Sequence, residues 1–358
     1  MHIIPRLHIG GAEKLLLNTI EILTEYEHHV VAFSADNNML QSFEQMATVH
    51  YKPSKSVTTL SNLLYLIRVE KEVEPYVIHS HLLKTNWLSR VAFQKKTNLF
   101  NSIHSPYSID AYSHNTYSLW VERFTYQKSN VLLLFVSDYV KADYTRFISL
   151  QRRSFIVPNF VADEFFQIHP LKYTSATPLK LVALGSIKKS KNYQLLIDAF
   201  KQLKHLPVSL DVYGEGELMD ECVKEVNQQS LKINFKGPVD KVAEILSAYH
   251  AFIFPSFYEG FSVALLEAMS AGLPLILSQI PTFKLLAKSN AYFFDPKNVD
   301  SCVAAILHAY HDGFEEEAID CNRQFIMENF ASAAYKKQLL QVYNSISMQE
   351  EEKTTFIK

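Results

Sequence analysis

The sequence predicts an α/β protein of two doubly wound domains, each a parallel sheet with helices on both faces. Three observations predict it. The 358 residues exceed what one ordinary core serves, so two domains of roughly 150 to 200 residues are expected. Short apolar runs alternate along the chain with segments of helical period, the pattern of βα units. Residues 251–277 place a strand, a loop, a helix and another strand in immediate succession, and strands joined through a helix pair in parallel.

The first half opens with a short strand, the diglycine loop of Gly10 and Gly11, and an amphipathic helix to about residue 24. Further strands are expected at 30–34, 76–81, 101–105, 131–137 and 155–157, with helices over 60–69 and 87–94 and a helix cap at Ser137 or Asp138. These make an N-terminal Rossmann-like domain of residues 1–165. Residues 166–178 lack periodicity, mix polar residues with Pro170 and Pro178, and read as a linker.

The second domain, 179–330, opens with a strand at 179–184 and the loop Gly185-Ser-Ile-Lys-Lys-Ser-Lys-Asn before a helix over 193–203. A glycine, a basic cluster and a helix start are the parts of a phosphate site. The strand 209–213 ends at Gly214-Glu-Gly216, a partial dinucleotide fingerprint, but Met219 holds the third glycine position and no acid closes the strand 233–235. After the strand 251–254, Ser262 caps a helix over 263–271 that Gly272 and Pro274 end. Strands at 275–277 and 292–294, helices over 299–308 and 335–346, and a charged, frayed tail at 349–358 complete the chain.

Composition narrows the function. Apolar residues are 48% and charged residues 20%, a globular profile, and the formal charge of −2 points to no polyanionic partner. Cys222, Cys302 and Cys321 are odd in number and unpaired by spacing, as expected of free thiols in a cytoplasmic protein. Neither a membrane span nor a signal peptide is indicated. His79 and His81 share a strand face in the manner of a metal pair, but no third ligand is evident in the sequence, and His308 with His311 reads as a solvated helix end. No metal site and no cofactor are therefore expected.

The chemistry concentrates in Phe-Tyr-Glu-Gly-Phe-Ser-Val-Ala-Leu-Leu-Glu at 257–267. The backbone N–H groups of Phe261, Ser262 and Val263 stand at a helix N-terminus, which favours a diphosphate. Glu259 precedes them, and Glu267 lies five residues beyond Ser262, about 7.5 Å along the axis. Two carboxylates placed around a diphosphate suit a sugar nucleotide, with one sugar at each end.

This Glu-x7-Glu stretch resembles the signature of the retaining glycosyltransferases of the GT-B fold, the large group called family four or glycosyl transferases group 1. The resemblance covers nearly the whole chain and implies two Rossmann-like domains facing across a cleft, with a C-terminal helix, 331–358, crossing back to the first. It implies transfer from a UDP-sugar, less readily a GDP-sugar, to a glycan or lipid-linked acceptor hydroxyl. By it, Glu259 meets the transferred sugar, Gly260 is a further donor-binding residue, Glu267 holds the ribose, and Val239 lies beside the base. Gly10 and Gly11 turn the first helix toward the diphosphate and acceptor, and His104, in Ser-Ile-His-Ser-Pro-Tyr, faces the reacting sugar. In the family the loop after Gly185 carries an arginine and, five residues later, a lysine. Lys191 matches the lysine, whereas Ser186 replaces the arginine. That departure admits two other readings, a sugar-nucleotide-binding partner subunit without turnover and an epimerase on the same fold. Between Lys84 and Arg153, ten basic residues oppose four acidic ones, so a peripheral membrane contact through the first domain is expected if the acceptor is lipid-linked.

Overall fold

A computed structural model describes residues 1–35, 37–108, 116–174 and 176–355, with side chains to residue 345. The chain forms two compact units, Met1–Asn159 with Ser332–Lys358 and Phe160–Ala331.

The first unit is built on β1 (His2–Ile4), β2 (His29–Ala32), β3 (Thr48–Tyr51), β4 (Ile78–His81), β5 (Leu99–Ile103), β6 (Leu132–Phe135) and β7 (Ser154–Ile156). Its helices are α1 (Gly11–Ile22), α2 (Leu40–Glu44), α3 (Leu60–Val73), α4 (Leu83–Ala92), α5 (Thr116–Lys128) and α6 (Asp138–Thr145). The seven strands are all parallel in the order β3-β2-β1-β4-β5-β6-β7. Strand order reverses between β1 and β4. The sequence reading did not single out strand β3, of four residues, or helix α2, of five, each too short to establish a period of its own. Thr59 caps α3 and Ser137 caps α6, each side chain accepting from the N–H three residues on.

The second unit holds β8 (Leu179–Leu184), β9 (Val208–Tyr213), β10 (Ile233–Gly237), β11 (Ala251–Phe254), β12 (Leu275–Ser278) and β13 (Tyr292–Phe294), again all parallel, in the order β10-β9-β8-β11-β12-β13. Helices α7 (Tyr193–Gln202), α8 (Met219–Gln228), α9 (Val242–Leu246), α10 (Val263–Ser270), α11 (Pro281–Ala287), α12 (Val299–Asp312) and α13 (Glu316–Phe330) cover its faces. The apolar runs at β8, β11 and β12 are buried almost throughout, as both-face coverage requires. Residues 166–178, expected as a linker, belong to this unit. Phe165 and Phe166 are buried, and the Tyr173 hydroxyl donates to the Tyr310 carbonyl at 2.8 Å.

Helix α14 (Ser332–Thr355) returns to the first unit and runs through much of the expected frayed tail. There Tyr335 pairs with Thr19 at 3.3 Å, Lys336 with Glu25 at 2.9 Å, and Gln338 donates to the Ile156 carbonyl at 2.7 Å.

Two of the charges counted toward a basic face are not on the surface. Arg90 and Glu122 are fully buried and paired at 2.7 Å. Glu122 also accepts from Tyr144 and from the Trp87 indole, each at 2.5 Å, while Arg90 Nε donates to Asn101 at 2.6 Å. Removing one member of such a pair strands a buried charge, at a cost of about 3–5 kcal/mol. Asp110, from the same count, lies outside the described residues.

Candidate active site

In the second unit, strand order reverses between β8 and β11, and ligands of open parallel sheets collect at the carboxyl ends of the strands flanking such a point. The loop after β8 carries Gly185, Ser186 and Lys191. The loop after β11 carries Glu259, Gly260 and Phe261. The fold brings the two together: Lys191 Nζ lies 2.5 Å from Glu259 Oε1, with both side chains largely buried.

Each partner is held by its own surroundings. The Ser256 hydroxyl donates to the same Glu259 oxygen at 2.8 Å, and Thr282 Oγ1 donates to the Glu259 carbonyl at 2.7 Å. Lys191 Nζ also stands 4.7 Å from the centre of the Phe254 ring, a cation–π contact. Asn192, in the left-handed region with φ 56°, donates from its amide to the carbonyls of Pro255 (3.1 Å) and Pro296 (2.8 Å), and Phe257 N–H donates to Ser190 O at 2.9 Å. These bonds lock one loop to the other. Sequence reading missed Ser256, Thr282 and Asn192 as supports; only Asn192, just ahead of a helix, carried a local signal.

Glycine is required at Gly214 in particular. Its φ is 149°, and a Cβ there would stand 2.1 Å from the Gly185 carbonyl oxygen. Close backbone approach between the loops after β8 and β9 thus explains the Gly214-Glu-Gly216 sequence without a dinucleotide. Gly185 itself has φ 140°, and its open side faces Lys191 Cε at 3.4 Å from a would-be Cβ.

Ser262 caps α10 as expected, its hydroxyl accepting from Leu265 N–H at 3.3 Å. Phe261 is buried against the Phe330 ring at 5.2 Å, Val263 is the first residue of α10, and Glu267 is buried on that helix. Val239 is half-buried in the loop after β10, whose end is tied to β9 by Gly214 N–H donating to Gly237 O at 2.8 Å.

In the first unit, Gly10 precedes α1 and Gly11 begins it. A Cβ on Gly10 would meet Glu13 Oε2 at 2.4 Å. Glu13, which sequence reading did not single out, is buried on the first turn beside Arg6 at 3.4 Å, and burial raises its pKa above the ordinary carboxylate value. His104 follows β5 and lines a small pocket with Leu15, Thr19, His81, Ser102 and Tyr335. Its Nε2 is buried without a hydrogen-bond partner, and burial depresses its pKa to about 4.

The expectation that His79 and His81 lack a third ligand is corrected here. Parallel pairing of β1 with β4 sets His2 directly opposite His79, so three buried imidazoles meet with ligand atoms within 4.8 Å of one another. His2 lies 77 positions from His79, and only the strand register joins them. His308 pairs with Asp312 at 3.1 Å on an exposed helix face.

Two parallel-sheet α/β units of this order define a GT-B glycosyltransferase fold. The structure is similar to that of Anabaena HepE in complex with UDP and glucose, with a TM-score of 0.81 at 16% identity, covering 96% of this chain and 100% of that one. The family Glycosyltransferase Family 4 matches residues 9–165, and Glycosyl transferases group 1 matches residues 167–325. The chain belongs to the group 1 glycosyltransferases. It is similar to the Escherichia coli O-antigen chain mannosyltransferase B, 24% identical over 55% of this chain, and spans 58% of that relative's length, less than two thirds. It is also 22% identical, over 85% of this chain and 86% of the relative, to the Escherichia coli UDP-Gal:alpha-D-GlcNAc-diphosphoundecaprenol alpha-1,3-galactosyltransferase. Among the described residues, no helix is long and apolar enough to cross a membrane.

Proposed function

We propose that this chain transfers a sugar, with retention of configuration, from a UDP-sugar to a glycan or lipid-linked acceptor hydroxyl in surface polysaccharide or glycoconjugate synthesis. The observation that carries this is the Lys191–Glu259 pair at the carboxyl ends of β8 and β11. Lys191 neutralises the departing diphosphate, together with the N–H groups at the start of α10. Glu259 accepts from hydroxyls of the transferred sugar and Glu267 from the ribose. In the free protein each of Lys191 and Glu259 satisfies the other, so neither ionised side chain is stranded while the donor is absent. No bridging metal enters this reading. His104, in the first unit, is proposed as a further catalytic group toward the transferred sugar, supported by the family resemblance and its unpartnered buried Nε2.

Incubation with several sugar nucleotides tests the reading. Free UDP, released by transfer or slow hydrolysis, supports it. An altered sugar would identify an epimerase, and binding without product a partner subunit.

Ser186 replaces the family's arginine. Ser186→Arg is expected to be tolerated and to lower the donor Kd, because a guanidinium offers phosphate a bidentate fork that a single hydroxyl does not. Calorimetric titration with UDP measures it, and weaker binding in the variant would show that the loop does not face the diphosphate.

A peripheral membrane contact through the first unit completes the proposal. Tyr117, Trp120 and Phe124 stack along one face of α5, and all are exposed, Trp120 by 59%. Aromatic rings of this kind suit the interfacial zone of a bilayer. Vesicles of anionic lipid are expected to retain the chain at low salt and Trp120→Glu to lower retention; equal retention of the two would remove α5 from the contact.

A further inference from the structure

The first unit holds a cluster of imidazoles that the transfer reaction does not use. His2 on β1 and His79 and His81 on β4 all point to one face of the sheet, as the parallel register and the two-residue period require. All three are buried. We propose that His2, His79 and His81 form a binding site for a divalent transition-metal ion of the zinc class, a structural centre that ties β1 to β4.

The geometry matches the chemistry. His2 Nδ1 and His81 Nε2 are 3.4 Å apart, close to the edge of about 3.3 Å expected for two nitrogens bound tetrahedrally at 2.0–2.1 Å. Ring centres are 5.8 Å apart for His2–His79, 5.7 Å for His2–His81 and 4.1 Å for His79–His81, against about 5 Å for imidazoles sharing such an ion. His79 places its two nitrogens 2.6 Å from the Tyr343 hydroxyl and 2.7 Å from the Ser102 hydroxyl. When one nitrogen turns to the ion, the hydroxyl at the other accepts its N–H and fixes the tautomer, as partners of metal-bound histidines do.

One further observation marks the cluster as unsatisfied. The second nitrogen of His81, Nδ1, is buried with no hydrogen-bond partner among the described residues, and buried polar atoms without partners are costly. His104 stacks on His81 at 5.8 Å and lines a small pocket together with His79 and His81. Water takes the fourth position. Burial also keeps these imidazoles neutral, the form that donates a lone pair. An all-nitrogen set excludes magnesium and calcium, which require oxygen ligands.

The test uses the full chain without an affinity tag, stripped by chelator and titrated with Zn²⁺ against a chromophoric chelator. The expected result is one ion per chain and a raised Tm. His2→Gln and His81→Gln should each weaken binding at least about 100-fold, since loss of a ligand exceeds loss of its supporting hydrogen bond. The double variant His29→Gln/His50→Gln removes the half-buried pair at 3.0 Å and should change nothing. X-ray absorption of the zinc-loaded wild type keeps the proposal decidable if a variant fails to fold, with three imidazole nitrogens at about 2.0–2.1 Å expected. A folded wild type that takes up no zinc overturns it. So do undiminished binding in folded His2→Gln and His81→Gln, fewer than three imidazoles around the ion, or binding lost with His29 and His50.

Discussion

Replacing Lys191 with alanine is expected to lower sugar transfer by at least about 10³-fold, the upper range for removing one preorganised group that meets developing charge. The effect is large because no arginine follows Gly185 to share the load. Lys188 and Lys189 are on the same loop, and Lys191 stands against Glu259, at 2.5 Å. Its loss also leaves the Glu259 carboxylate with one hydroxyl, from Ser256, so the sugar-facing group loses its orientation with its counter-ion. Lys191→Arg should recover part of the loss, since charge is restored but the aliphatic stem no longer fits the gap between Gly185 and the Phe254 ring. Initial rates at saturating donor, read beside a UDP titration and a thermal melt, separate the outcomes. Unchanged turnover and donor binding in Lys191→Ala would mean that the diphosphate is held elsewhere.

Acid is expected to unfold the first unit steeply. His79 is depressed to about 3 and His104 to about 4, and His2 and His81 lie well below 6.5. Burial is the first cause in each case; for His2, His79 and His81, repulsion from neighbouring imidazoles and, for His2 and His79, from the Met1 amine adds to it. Folded pKa values below the unfolded one mean that the unfolded chain binds more protons between these limits. The histidine contribution is therefore complete above about pH 6.5 and is lost as pH falls toward 3. Each such histidine changes stability by about 1.4 kcal/mol per pH unit between its unfolded and its folded value, so four together act on the order of 5 kcal/mol per unit only until about pH 4, where His104 takes up its proton. That is comparable to the whole stability of a small domain. Urea unfolding at pH 7, 6 and 5, with chelator present, measures it. Loss between pH 6 and 5 should be partly relieved in His81→Gln, which removes one titrating group. A flat profile would mean that these imidazoles are solvated.

Local signals carried much of this protein. The run 251–277 encodes its own strand, cap, helix and stop, so β11, α10, β12 and the positions of Glu259 and Glu267 were legible from residue order, as was the parallel α/β class. The Ser262 cap and the Gly272 stop act within a few residues, where the covalent chain itself brings the groups together. Tertiary structure alone decided which distant groups meet. Lys191 and Glu259 are 68 residues apart and join only because β8 and β11 are neighbours across the reversal in strand order. His2 reaches His79 only through the β1–β4 register, and Arg90 with Glu122 read as surface charges until α4 and α5 were seen to bury them. Period and propensity report on a few consecutive residues, whereas parallel pairing depends on how crossover connections order the strands. Strand order placed the histidines together and turned a lysine in one loop toward a glutamate in another.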